Sequence, residues 1–325
     1  MKPVFPLDAN QYKKHAIHGE NRIWTETNCY TDIIIELLHS MGHEPIAALS
    51  FTLATDFEGD QWTFFKFPHE DLFELYGLEI KELNPWRPSL LTAIEEQLER
   101  GNPVLVELDS YFLPDTAGTA YKTAHVKTTV AVNEINREKF SMGYFHNQGY
   151  YTLNDQDFVN IFQLNGLVHD RMLPPYVEFV KRNFEKFERY QPKLIDTSLN
   201  LLKKHLDRSP KQNPFITFKE RFKKDEEWLM NADMATFHTY SFANLRQYGA
   251  CFELTETYLR WLSDNGYTDV NSAADSFKFI AETAKTFQFQ LARAMARKKP
   301  LDLSPLDAMA TQWASAMNEL KRRFR

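Results

Sequence analysis

A cysteine at position 29 and a histidine at position 125 are the residues of this chain best placed to do nucleophilic chemistry together. Cys29 follows TETN and opens the apolar run YTDIIIELLHSMG, so its sulfur is expected at a helix N-terminus. Unsatisfied N–H groups and the positive dipole end stabilise a thiolate there, the form in which cysteine attacks. The competing reading is that of a small hydrophobe that only packs. His125 begins the β-branched run HVKTTVAVNEI after the polar loop PDTAGTAYKTA, which puts an imidazole at a sheet rim. From there it can take the thiol proton and return it to a leaving group. The next strand ends in GYFHNQGY and offers two orienting groups, Asn147 through its amide oxygen and His146. Asn28, beside the cysteine, is the nearest amide for an oxyanion hole with the Cys29 backbone N–H.

Four further residues are candidates to line a substrate site. Asp109 and Tyr111 follow the strand-like PVLVELD, although the same types anchor loops through hydrogen bonds. Asp60 and Trp62 stand in TDFEGDQW, whose carboxylates resemble a metal loop, but the glycine falls at the wrong place for an EF-hand. No HExxH and no Cys/His zinc spacing occurs, so no metal is expected. Cys251, flanked by Ala250 and Phe252, reads as packing.

These residues need a scaffold. Helices are expected over 30–42, 69–77, 89–100 and 155–164, and strands over 61–67, 78–83, 103–109, 125–135, 139–145 and 149–153. From about residue 174 helical periodicity takes over, at 194–207, 216–231, 233–264, 271–298 and 305–324. The organisation expected is an α+β domain over 1–170 and an α-helical domain over 171–325.

Composition fits that organisation. The 325 residues are 43% apolar and 14% aromatic, enough for packed cores. The start of the chain has no continuous apolar stretch of a secretory signal, and 18 consecutive apolar residues occur nowhere. With two unrelated cysteines, this points to a reducing, cytoplasmic setting and no membrane. Net charge is −6 but unevenly spread: residues 1–169 carry 12 basic against 24 acidic side chains, and residues 170–325 carry 26 against 20. A basic second half suits an acidic partner, or is simply a solvated helix surface. No phosphate-binding glycine motif occurs, and RKK at 297–299 and KRRFR at 321–325 complement helix ends, so nucleic acid is not an expected partner.

The stretches WTETNCYTDIIIELLHSMGHEP, VLVELDSYFLPDTAGTAYKTAHVKTTVAV, GYFHNQGYYTL and FHTYSFANLRQYGACFELTETYLRWL resemble an uncharacterised bacterial family, that of domain of unknown function 1839, over the whole length. The first half is more distantly similar to the acyltransferases of butirosin biosynthesis, at Cys29, Asp109, Tyr111, Leu113, Pro114 and His125. That resemblance implies a papain-like fold and transfer of an acyl or aminoacyl group from a carrier-protein thioester, through Cys29, to an amine. It implies no cofactor beyond the carrier's phosphopantetheine, an acidic carrier protein as partner and a small-molecule acceptor. The sequence departs from those relatives in having Phe145-His146-Asn147 where they tend to place an Asp, and from papain-like enzymes in lacking a Gln several residues before the cysteine. A cysteine peptidase or amidase on the same residues, and a non-catalytic scaffold, are the alternatives.

Overall fold

In a computed structural model, which describes residues 2–25, 27–86, 89–166, 176–183 and 193–325, the chain divides into two units. The first comprises Met1–Gly19, Asn28–Glu44 and Leu72–Gln191; the second comprises Glu20–Thr27, Pro45–Asp71 and Pro192–Arg325. The fold is α+β with a helical C-terminal region.

The described strands, in chain order, are β1 (Phe57–Glu58), β2 (Gln61–Trp62), β3 (Leu78–Glu82), β4 (Val104–Asp109), β5 (Lys127–Asn136), β6 (Ser141–His146), β7 (Gly149–Asn154) and β8 (Val177–Arg182). The described α-helices are α1 (Cys29–Ser40), α2 (His69–Tyr76), α3 (Leu90–Glu99), α4 (Asp155–Ile161), α5 (Leu194–Arg208), α6 (Pro214–Asn231), α7 (Met234–Tyr240), α8 (Gln247–Asp264), α9 (Asn271–Arg297) and α10 (Ser304–Phe324).

The first unit is built on an antiparallel sheet of order β3-β8-β4-β5-β6-β7. Side chains alternate between its faces. Val104, Val106, Leu108, Val130, Val132, Met142 and Tyr144 form a core with Leu91, Ile94 and Leu98 of α3 and Phe158 of α4. The opposite face, carrying Leu105, Ala131 and Phe145, receives α1. That helix buries Ile33, Ile34, Ile35, Leu37 and Leu38, each worth about 1.5–3 kcal/mol relative to exposure.

β8 lies between β3 and β4, so the sheet continues past residue 170, where the first domain was expected to end. The expected boundary itself falls outside the described residues. VEFV reads as an ordinary apolar patch, and what makes it a strand is pairing with segments about 75 and 100 residues earlier. The strand expected over 61–67 shrinks to β2, which pairs with β1 in a two-stranded sheet.

In the second unit the segment Pro45–Ala54, a 3-10 helix with Ala47, Ala48, Leu49, Phe51 and Leu53 buried, packs on α5 and α8. The helix expected over 233–264 is interrupted by a π-helical segment at Ser241–Arg246. Gly249 lets Trp24 lie against α8: a Cβ there would stand 2.5 Å from the indole ring.

Candidate functional site

Cys29 occupies the first position of α1 and is half-buried. Asn28 caps the helix: its backbone is extended, and its side-chain oxygen accepts the Thr31 N–H at 2.9 Å. That oxygen is spent on the helix, a role worth about 1 kcal/mol, and an oxyanion role for Asn28 would fall to its side-chain N–H groups. One residue further, the Tyr30 hydroxyl donates to the buried Glu178 at 2.9 Å. Glu178 is the register partner of Leu105, and Glu107 and Asp109 continue the same face of β4 toward its end.

His125 precedes β5 rather than opening it, and its side chain is 67% exposed. Its Nδ1–H donates to Asp109 Oδ2 at 2.6 Å. The other oxygen of Asp109 accepts the Tyr111 N–H at 3.0 Å, and the Tyr111 ring stacks on the imidazole with centroids 4.3 Å apart and planes at 12°. Asp109 and Tyr111, expected at the substrate, hold the histidine. Asp109 does so from the preceding strand, because the register pairs it with Lys127, two residues beyond His125. Sequence reasoning looked for the orienting group only downstream, and the acid at the end of VLVELD was the signal that could have found it. Among the described residues no hydrogen bond joins Cys29 Sγ to His125, and the imidazole Nε2 has no partner.

His146 lies on the other face of the sheet, with Met142 and Tyr144, away from α1. Its Nδ1–H donates to Asp115 Oδ2 at 2.5 Å, and its Nε2 bonds Thr128 Oγ1 at 2.8 Å. Asp115 also accepts from the Tyr144 hydroxyl, which burial and then the carboxylate's charge keep protonated. The order Thr–His–Asp is that of a nucleophile, base and orienter. With both His146 and Asp115 side chains 3% exposed, the chain of bonds serves to pin the 110–124 loop beneath which it lies. Ser110 closes the same loop, its N–H and hydroxyl both donating to the Val126 carbonyl. Asn147 sits in the β6–β7 turn with φ of 47°, remote from the function expected of it because the turn needs its left-handed backbone. His146 and Asn147 are thus not brought to His125; Asp109 is.

Asp60 and Trp62 belong to the second unit. Asp60 is exposed at the β1–β2 turn, and Trp62 is 3% exposed among Phe57, Phe215, Phe218, Tyr248 and Phe252. Cys251 is fully buried against Thr55, and burial pushes its thiol up to about 12, which leaves it inert. Sequence reasoning passed over His18, which α1 holds by two carboxylates one turn apart: Nε2 to Asp32 at 3.1 Å and Nδ1 to Glu36 at 2.5 Å. Burial opposes its charge, but the two hydrogen bonds and the two charges outweigh it and raise the pKa.

Among the described residues no helix is long and apolar enough to cross a membrane. None of the curated proteins matches the chain. Residues 13–182 match the DUF1839 N-terminal domain, and residues 191–322 match the DUF1839 C-terminal domain. With both of its domains accounted for in order, the chain belongs to the DUF1839 family.

Proposed function

We propose that this protein is a papain-like acyl- or aminoacyltransferase that moves an acyl group from a carrier-protein thioester, through Cys29, to an amine. The observation that carries the reading is the Asp109–His125 pair, 2.6 Å apart and on the α1 face of the sheet, with Nε2 turned free for a proton. In the first step Nε2 takes the Cys29 proton and the sulfur attacks the thioester carbonyl. The tetrahedral intermediate collapses to an acyl-cysteine, and His125 returns the proton to the departing carrier thiol. The amine then attacks the acyl-cysteine, gives its proton to the imidazole and leaves as the amide, while Cys29 regains its proton. Asp109 stabilises the imidazolium formed in each step. The excess of basic over acidic residues in 170–325 suits an acidic carrier.

One observation favours a second reading, that of a non-catalytic binding protein: Cys29 and His125 are not hydrogen-bonded. Catalytic hydrogen bonds often tighten only with substrate, so the lack of that bond does not decide between them. Intact-mass spectrometry after incubation with an acyl-pantetheine thioester does. The transferase gains one acyl mass on Cys29, discharges it to an added amine, and does neither as Cys29→Ala. A wild-type protein that stays unacylated is the binding protein; one whose acyl group is lost to water alone, whatever the amine, is a hydrolase.

A further inference from the structure

In the helical unit Phe242 and Phe289 are 57% and 63% exposed, and the pairing of two helices brings them side by side. Moving down α8 and up α9, the Phe252 ring stacks on that of Phe277 with centroids 5.4 Å apart. One turn on, Trp24 lies against Gly249 and donates its indole N–H to the Ala281 carbonyl at 3.1 Å. One turn further, Arg246 meets Lys285: burial first, then the Arg246 charge, hold the Lys285 pKa below its usual value. The next turn sets Phe242 opposite Phe289, where α9 packs on the π-helical segment. The Arg246 guanidinium lies over the Phe242 ring at 4.9 Å, and Lys285 Nζ over the Trp24 ring at 4.4 Å. Glu253, the acid that acts on Lys285, is committed to the backbone N–H groups of Ile23 and Trp24. Although acids outnumber bases in the chain by 44 to 38, residues 234–252 and 283–301, which carry the two sides of this face, contain no Asp or Glu. Glu226 and Glu227 of α6 come in only at the far end, beside Lys298 and Lys299.

We propose that Phe242, Arg246, Lys285 and Phe289 are the surface on which the acidic carrier protein docks, an inference that rests on the transferase reading. The carrier sets apolar side chains of an acidic helix against the two phenylalanines, and its carboxylates and phosphopantetheine phosphate against the two cations. Charge complementarity selects such a partner and steers it in, while exposed aromatic rings and arginine are the side chains that carry binding energy at interfaces. Chain connectivity points the same way. Trp24, beneath Lys285, stands five residues before Cys29, so at most about 18 Å of extended backbone separates them, a length comparable with a phosphopantetheine arm.

The test is fluorescence anisotropy of a labelled, phosphopantetheine-bearing acyl carrier protein of bacterial fatty-acid synthesis, titrated with the intact protein. Wild type binds it, more weakly as salt rises. Phe242→Asp, Phe289→Asp and Lys285→Gln each weaken binding at least about tenfold, whereas Lys203→Gln, at an exposed cation of α5, leaves it unchanged. No binding by wild type, equal binding by the three patch variants, or an equal loss in Lys203→Gln overturns the proposal. If the patch variants keep the carrier and instead lose phosphatidylglycerol vesicles or oligothymidylate, the surface serves a membrane or a nucleic acid, and the proposal falls. The choice of acyl donor separates docking from chemistry. Acetyl-pantetheine acylates Cys29 of Phe289→Asp as fast as that of wild type, whereas the acetyl-loaded carrier acylates it about tenfold more slowly. Acylation by acetyl-pantetheine with no difference between the two proteins toward the carrier overturns the docking and leaves the transferase reading standing. Carrier binding at the patch with no acylation from either donor does the reverse.

Discussion

His125 and His18 show how neighbours decide what an imidazole can do. His125 is held through one nitrogen and open at the other, the state a proton carrier needs. His18 is held through both, by Asp32 and Glu36, each 0% exposed, and serves as a buried cation that ties the N-terminal segment to α1. Its folded pKa is raised, so it binds its proton more tightly folded than unfolded. Its charge contributes stability in full below the unfolded pKa of about 6.5, and that contribution is lost as pH rises through the folded value. We predict that His18→Gln, which removes the charge shared by Asp32 and Glu36, costs about 3–5 kcal/mol near pH 6. Urea unfolding of both proteins at several pH values checks this: the gap between them should narrow at alkaline pH, and a gap independent of pH would mean that the His18 charge carries none of it.

α1 carries the cysteine, and its start is the element-scale feature on which the site depends. The Asn28 cap fixes where the helix begins and hence where the Cys29 sulfur stands. Asn28→Ala should cost about 1 kcal/mol in chemical denaturation, while Asn28→Asp, which keeps the accepting oxygen, should cost less; equal losses would show that the amide N–H groups matter instead. This helix was legible in the sequence, because its apolar run and terminal glycine agree locally, while the Asn28 cap was not read there. So were β4, the β5–β6 hairpin and most of the later helices, whose periodicity is self-contained. β8 was not, since its strand character comes from partners distant in the chain. The role of Asp109 was hidden for the same reason: only the β4–β5 register, with its Asp109–Lys127 pair, brings that acid to His125. His146 misled because one residue of offset on a strand moves a side chain to the opposite face.

At the scale of the molecule, the family's two domains follow one another along the chain, whereas the two packed units interleave. Glu20–Thr27 and Pro45–Asp71 lie within the N-terminal family domain yet pack with the helical unit, where the backbone N–H groups of Ile23 and Trp24 donate to Glu253 at 2.8 and 2.9 Å. Glu20–Thr27 leads directly into Asn28 and Cys29, so the chain reaches its cysteine from a segment that the second unit holds. The intact protein is therefore the right object for a reactivity measurement. The most direct one is the rate of iodoacetamide labelling against pH, located by mass spectrometry, in wild type, His125→Ala and Asp109→Asn. The account predicts that Cys29 labels rapidly below pH 7, that Cys251 stays unlabelled in the folded protein, and that both substitutions slow Cys29. Slow labelling of Cys29 with the profile of an ordinary thiol, indifferent to both substitutions, would contradict it.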